Sequence, residues 1–158
     1  MAAAGFNATG LDLAPTAVKS ADKWYKNLPD GHSFAGKLAG SAVFRCGNFF
    51  DEHKKHAGVY DLIFDCTFLC ALHPDVRIKW GKQMATLTKK GGELVTLIFP
   101  ICKRTGGPPY AMATTLVSGL LDEWFECVSI VDPLPKDLAH MIDNPFSATS
   151  ALARWRRR

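Results

Sequence analysis

The sequence predicts an α/β fold, a sheet with helices on both faces, and three observations carry that expectation. Short apolar segments rich in β-branched and aromatic residues alternate with helix-like stretches. Turn residues bound most of these segments. Two of them end in an aspartate, Asp12 and Asp65, at the carboxyl edge where open α/β sheets bind ligands. The 158 residues fit one domain, and the 47% hydrophobic and 22% charged content is ordinary for a globular protein.

Along the chain, the first five residues read as the last turn of a helix closed by Gly5. The first strand is expected over 8–13. Pro15 then suits a first helical position, and Ala17, Val18, Ala21, Trp24, Tyr25 and Leu28 carry the following turns. A long loop over 27–40 holds Pro29, Gly31, Gly36 and Gly40. Further strands are expected over 42–46, 60–66, 93–99 and 127–131, with a sixth over 151–155. A helix over 74–87 shows Val76, Ile78, Trp80, Met84 and Leu87, with Lys89, Lys90, Gly91 and Gly92 as its stop. Another over 114–125 shows Leu116, Val117, Leu120, Leu121 and Trp124.

Composition narrows the function classes. The net charge is +4, and without Arg154, Arg156, Arg157 and Arg158 the two signs balance, so the basicity reads as a solvated terminal tail. No basic stripe interleaved with aromatics points to nucleic acid. No apolar run approaches the ~20 residues that cross a membrane, and a signal-peptide pattern is lacking, so a cytoplasmic location is expected. Cys46, Cys66, Cys70, Cys102 and Cys127 form no C-x-x-C pair and read as free thiols. His53 and His56 lie in a polar stretch expected as an exposed turn, and no metal site is expected.

Four motifs carry the candidate chemistry. Gly10-Leu11-Asp12-Leu13 ends a strand in an acid that either accepts hydrogen bonds from ribose hydroxyls or caps the Pro15 helix. Gly47-Asn48-Phe49-Phe50 offers a short amide beside a large apolar ring, suited to an adenine edge and face, or else a plain Asn-containing turn over core phenylalanines. Phe64-Asp65-Cys66 brings a carboxylate to the next strand tip, with Phe68, Leu69 and Leu72 as an apolar wall. Phe99-Pro100 leads to Gly106-Gly107-Pro108-Pro109-Tyr110, either a lid over a pocket or a rigid surface turn.

In this order and spacing, the four motifs resemble the thiol, thiocyanate and halide methyltransferases, relatives of thiopurine methyltransferase, over residues 3–155. The resemblance implies a Rossmann-like class I methyltransferase sheet and S-adenosylmethionine as cofactor. It implies cofactor contacts from Asp12 and Leu13, from Asn48 and Phe49, and from the Asp65-Cys66 turn, with Phe68, Phe99 and Tyr110 lining the substrate pocket. No metal and no covalent catalytic residue is implied. The partner is expected to be a small molecule rather than nucleic acid or membrane, and the protein a monomer. Cys66 stands where relatives often carry tyrosine or arginine, and Phe99 where some carry tyrosine.

The resemblance further implies a first strand and a G-x-G-x-G loop that the 158 residues lack, so the chain is expected to be a single methyltransferase domain incomplete at its N-terminus. The expected function is methyl transfer to a thiol or bisulfide, thiocyanate or halide. The alternatives are an inactive truncated fragment and, ranked below it, a nicotinamide-dependent oxidoreductase that would also use Asp12.

Overall fold

The computed structural model describes residues 1–28, 40–140 and 147–158, so most of the loop expected over 27–40 lies outside the described residues. The chain divides into two compact units, Met1–Glu52 and His53–Arg158.

The first unit opens with a 3-10 turn, Ala2–Ala4, closed by Gly5 at φ 91° as the sequence suggests. Strand β1 (Ala8–Asp12), helix α1 (Pro15–Lys26) and strand β2 (Ala42–Cys46) follow. The two strands are parallel, which requires a crossover between them, and α1 lies in it. Pro15 starts α1, where a missing N–H costs nothing, and Lys23 and Lys26 suit the negative end of its dipole. Tyr25 fixes the helix to β2: its hydroxyl accepts from the Ala42 N–H at 3.2 Å and its ring meets Phe44 edge-on.

The second unit runs α2 (His53–His56), β3 (Tyr60–Cys66), α3 (Arg77–Leu87), β4 (Thr88–Ile101), α4 (Thr114–Leu121), β5 (Phe125–Val131) and β6 (Thr149–Arg157). Its sheet has the order β3-β4-β6-β5, with β3 and β4 parallel and β6 antiparallel to both of its neighbours. The period of two along β6 makes the core legible: Ala151, Ala153 and Trp155 are fully buried, while Arg154 and Arg156 on either side of Trp155 are exposed. Trp80, Met84 and Leu87 of α3, Val117 and Leu121 of α4, and Leu94, Ile98 and Phe125 of the sheet complete this core. Trp155 keeps its indole N–H satisfied by donating to Thr96 Oγ1 at 3.0 Å.

Several boundaries differ from the sequence expectation. Lys89 to Gly92 do not stop α3 but already belong to β4; the helix ends at Leu87, where the Thr88 hydroxyl donates to the Met84 carbonyl. The helix itself starts at Arg77, behind a separate 3-10 turn at Pro74–Val76. Helix α4 ends at Leu121, and Phe125 opens β5 with its ring buried. The polar stretch at His53–His56 forms a single helical turn. The C-terminal arginines are no solvated tail. Arg154 and Arg156 reach the shared carboxylate of Glu93 at 2.8 and 3.5 Å, and Arg157 donates to the carbonyls of Ala85 and Trp124.

Helices α3 and α4 pack closely because Gly81 has no side chain. A Cβ there would collide with the Leu120 carbonyl oxygen and meet the Trp124 ring at 3.3 Å. Gly81→Val is therefore expected to lower stability by about 1–3 kcal/mol through overpacking. Urea unfolding should show a lower midpoint with an unchanged slope.

Candidate functional site

In the first unit the parallel register sets Asp12 opposite Cys46, so both strand tips face the same edge. The Gly47 N–H donates to the Asp12 carbonyl at 2.9 Å, and the Cys46 thiol lies 3.5 Å from the Leu13 carbonyl. Asp12, Leu13, Asn48 and Phe49 are thereby brought together at the carboxyl end of the sheet. Asp12 is not the cap of α1: Ala14 holds that position without a side-chain bond. Instead, Asp12 Oδ1 accepts from the Ala14 N–H at 2.7 Å, an Asx turn that fixes an exposed carboxylate at the tip. Leu13 beside it is 73% exposed.

Asn48 caps the 3-10 turn Phe49–Asp51. Its Oδ1 accepts from the Phe50 N–H at 3.1 Å and its Nδ2 donates to Asp51 Oδ2 at 3.2 Å. Both arms of the amide are thus engaged within the turn, while Phe49 and Phe50 are only half-buried rather than core residues. Phe49 is half-buried and meets Phe50 edge-on at 5.2 Å. A cleft of about 140 Å³ lies between β1, Phe44 and the Ala17–Ala21 face of α1. It is smaller than the roughly 300 Å³ of a typical small-molecule pocket.

In the second unit the tips of β3 and β4 are parallel, with Cys66 beside Leu97. Asp65 turns inward and is buried. Its Oδ1 accepts from the N–H groups of Phe68 and Leu69 at 3.1 and 3.3 Å, and its Oδ2 from the Trp80 indole at 2.9 Å. Burial raises its pKa above the ordinary aspartate value, against the opposing pull of those three donors. Both oxygens are occupied inside the unit, so what the turn offers outward is exposed Cys66, Thr67 and the 37%-exposed ring of Phe68. Thr67 holds φ 61°, a rare conformation for a β-branched residue, and its hydroxyl donates to the Cys66 carbonyl.

Tyr110 closes against this turn. Its N–H donates to the Cys70 carbonyl at 2.8 Å, and its ring folds over Gly107, where any Cβ would meet it at 2.5 Å. Arg104 braces the same loop by donating to the Pro109 carbonyl. Phe99 is only 3% exposed, and the His140 ring stands edge-on to it at 4.8 Å. Phe68 and Tyr110 thus gather near the β3 turn, whereas Phe99 lies beneath His140.

Arg77 had no sequence signal, since the 74–87 pattern marks only its apolar face. It is 6% exposed, with its guanidinium carbon 5.4 Å from the centre of the Tyr110 ring. Nε donates to the Leu72 carbonyl at 3.4 Å, and Nη2 is buried with no hydrogen-bond partner. Burial lowers its pKa from the usual guanidinium value. Burial likewise pushes the Cys70 thiol up to about 11, so this cysteine stays protonated at neutral pH. Among the described residues no group of three His, Cys, Asp or Glu side chains is placed to hold a metal, and no helix is long and apolar enough to cross a membrane.

The raised pKa of Asp65 fixes the sign of a pH effect. The contribution of this carboxyl to stability is fully present below its unfolded-state pKa and is lost as pH rises through the higher native value. The stability difference between the native protein and Asp65→Asn should therefore shrink from pH 3.5 towards pH 7, measured by urea unfolding. A difference that grows with pH would contradict this account.

The sequence model of the thiopurine S-methyltransferase family matches residues 1–158. An Arabidopsis thaliana protein named "Probable thiol methyltransferase 2" is 38% identical over 99% of this chain and 63% of its own length. Thiocyanate methyltransferase 1 of Brassica oleracea is 32% identical over 94% of the chain and 59% of its own length. The chain thus spans about three-fifths of these relatives. Among solved structures, an S-adenosylmethionine-dependent methyltransferase from Methanosarcina mazei matches 99% of this chain and 84% of its own, with a TM-score of 0.77 at 16% identity. The N-methyltransferase NodS of Bradyrhizobium japonicum, solved with S-adenosyl-L-homocysteine, matches 96% of this chain and 66% of its own with a TM-score of 0.66 at 19% identity. At such identities these structures speak for the α/β fold alone. With the family model covering every residue, the chain belongs to the thiopurine S-methyltransferase family of S-adenosylmethionine-dependent methyltransferases.

Proposed function

We propose that this chain methylates a small anionic nucleophile, a thiolate or bisulfide, thiocyanate or halide, with S-adenosylmethionine as donor. The observation that carries the anionic acceptor is Arg77, a buried guanidinium under Tyr110 with one nitrogen unpartnered and no carboxylate bonded to it. An uncompensated buried cation is costly, and an anion beside it offsets that cost. Family membership favours this reading over the nicotinamide-dependent alternative.

The residues at the first strand edge suit the donor. Asp12 is exposed, and among the described residues its Oδ2 carries no hydrogen bond, which leaves an acceptor for a ribose hydroxyl. Leu13 and Phe49 would cover the base, with Asn48 at its edge if the turn relaxes. In the second unit the Asp65-Cys66 turn is the corresponding contact, made by backbone and Cys66 because the Asp65 carboxylate is occupied. When bound, the donor supplies a methyl group on a sulfonium centre. Transfer to an anion neutralises charge, so Phe68 and Tyr110 assist by excluding water and holding the nucleophile in place, with Phe99 as buried apolar support beneath His140. We assign the acceptor to the class of small molecules, and the protein to the cytoplasm as a monomer forming one methyltransferase domain.

A second reading is an inactive piece with a binding role or none, and it draws on the lack of a G-x-G-x-G run in the 158 residues. Two measurements separate these readings. Titration calorimetry with S-adenosylhomocysteine should show binding that Asp12→Ala weakens roughly ten- to hundredfold, the loss of a charge-assisted hydrogen bond. Unchanged affinity in that variant would remove the ribose assignment. Headspace detection of methanethiol from bisulfide, or methyl iodide from iodide, should register turnover; binding without product would support the inactive reading.

A further inference from the structure

We propose that His140 is the proton acceptor for thiol substrates, a role that rests on the methyltransferase reading above and that iodide or thiocyanate would not require. Phe99, expected as a pocket wall, is buried at the carboxyl end of β4, and the His140 ring stands against it at 4.8 Å with the planes 73° apart. The group that this end of β4 presents is thus an imidazole rather than a phenyl ring. Its place is fixed from two sides. The His140 N–H donates to Ser150 Oγ at 3.1 Å, and the Leu134 N–H to the Ser150 carbonyl at 2.7 Å, which pins the segment after β5 onto the start of β6. Ser150 is itself 1% exposed, so this anchor is rigid.

Among the described residues neither ring nitrogen makes a hydrogen bond, in contrast to His73, whose Nδ1 faces Asp75 Oδ2 at 3.2 Å. Two carboxylates stand at strand tips of this unit: Asp65 has both oxygens engaged internally, and exposed Asp132, just after β5, accepts from the Thr114 hydroxyl at 3.3 Å. The neighbours of His140 on β4 and β6, Phe99 and Ser150, carry no charge, and on its own segment Lys136 and Asp137 are exposed.

The chemistry requires such a group for only one class of acceptor. A simple alkyl thiol is a weaker acid than the cysteine side chain (~8.5), so it is almost wholly protonated at pH 7, and the thiolate is the effective nucleophile. A neutral imidazole is the side chain best suited to accept such a proton near neutral pH. In the step assigned here the S–H bond breaks, an N–H bond forms on the imidazole, and the electron pair stays on sulfur for attack. The proton then passes to water. Iodide and thiocyanate are already anions and have no proton to lose.

The test compares the native protein with His140→Gln on ethanethiol and on iodide. At pH 7 the variant should lose roughly a hundredfold or more in kcat/KM for ethanethiol, while iodide methylation changes less than about twofold. The gap for ethanethiol should narrow only as pH rises above about 10, where a simple alkyl thiol, less acidic than cysteine, begins to ionise unaided. An equal loss on both acceptors, or no loss on either, would overturn the proposal. A readout independent of turnover is the imidazole nitrogen spectrum with S-adenosylhomocysteine present, with the His140 signal identified by its absence in the variant. Ethanethiol should shift that signal, and a signal that stays in place overturns the assignment. Absence of product from any acceptor would count against the methyltransferase reading, and the spectrum would still decide whether a thiol reaches His140.

Discussion

The buried carboxylate of Asp65 is the constraint on which the second unit is arranged. It accepts from the turn that follows its own strand and from Trp80 of α3, tying β3, the turn and the helix into one knot. Removing a carboxylate from water costs several kcal/mol even after relaxation, and three donors offset much of that. The raised pKa records the remaining imbalance. The same knot holds Thr67 at its unusual φ, a strain that persists only when its surroundings over-determine it. The turn in turn aims Cys66 and Phe68 outward, and its continuation receives Tyr110 through the Cys70 carbonyl.

Positive charge is distributed on a different principle. Glu93 serves two arginines, and the bidentate bonds from Arg154 hold its pKa below the usual range. Arg157 spends its donors on the carbonyls of Ala85 in α3 and of Trp124 in the turn before β5, and lies over the Phe125 ring. These cations are structural, and the formal charge of the C-terminus says little about partners. Arg77 alone among the described buried cations has a guanidinium nitrogen without a partner and no bonded acid, which is why the anionic acceptor rests on it.

The strands and helices were legible where period and punctuation agreed. Ala42–Cys46 and Tyr60–Cys66 form as their apolar runs suggest, and Pro15 opens α1. Lys89 to Gly92 misled because lysines and paired glycines suit a helix end as well as they suit a strand entering a bend, and pairing with β3 on either side of them, at Thr88 and Glu93, draws the segment into β4. The site residues were legible as strand tips, yet their side-chain roles were not. Asp12 and Asp65 look alike in sequence; one is exposed and the other bonds a tryptophan fifteen residues away. Nor does any local pattern mark Arg77 or His140, since their meaning comes from Tyr110 and Phe99, which are distant in the chain.

The position of β6 has a consequence for how the protein is made. It lies between β4 and β5, and β5 pairs with no other strand of its sheet. During synthesis β5 therefore emerges with both edges unpaired, carrying Val128, Ile130 and Val131 partly exposed even in the folded state. Closure must wait until residues 149–157 leave the ribosome. Long-range pairing of that kind is slow, and an unpaired apolar edge invites other chains. Until Trp155 is delivered, the nascent unit keeps that apolar edge open.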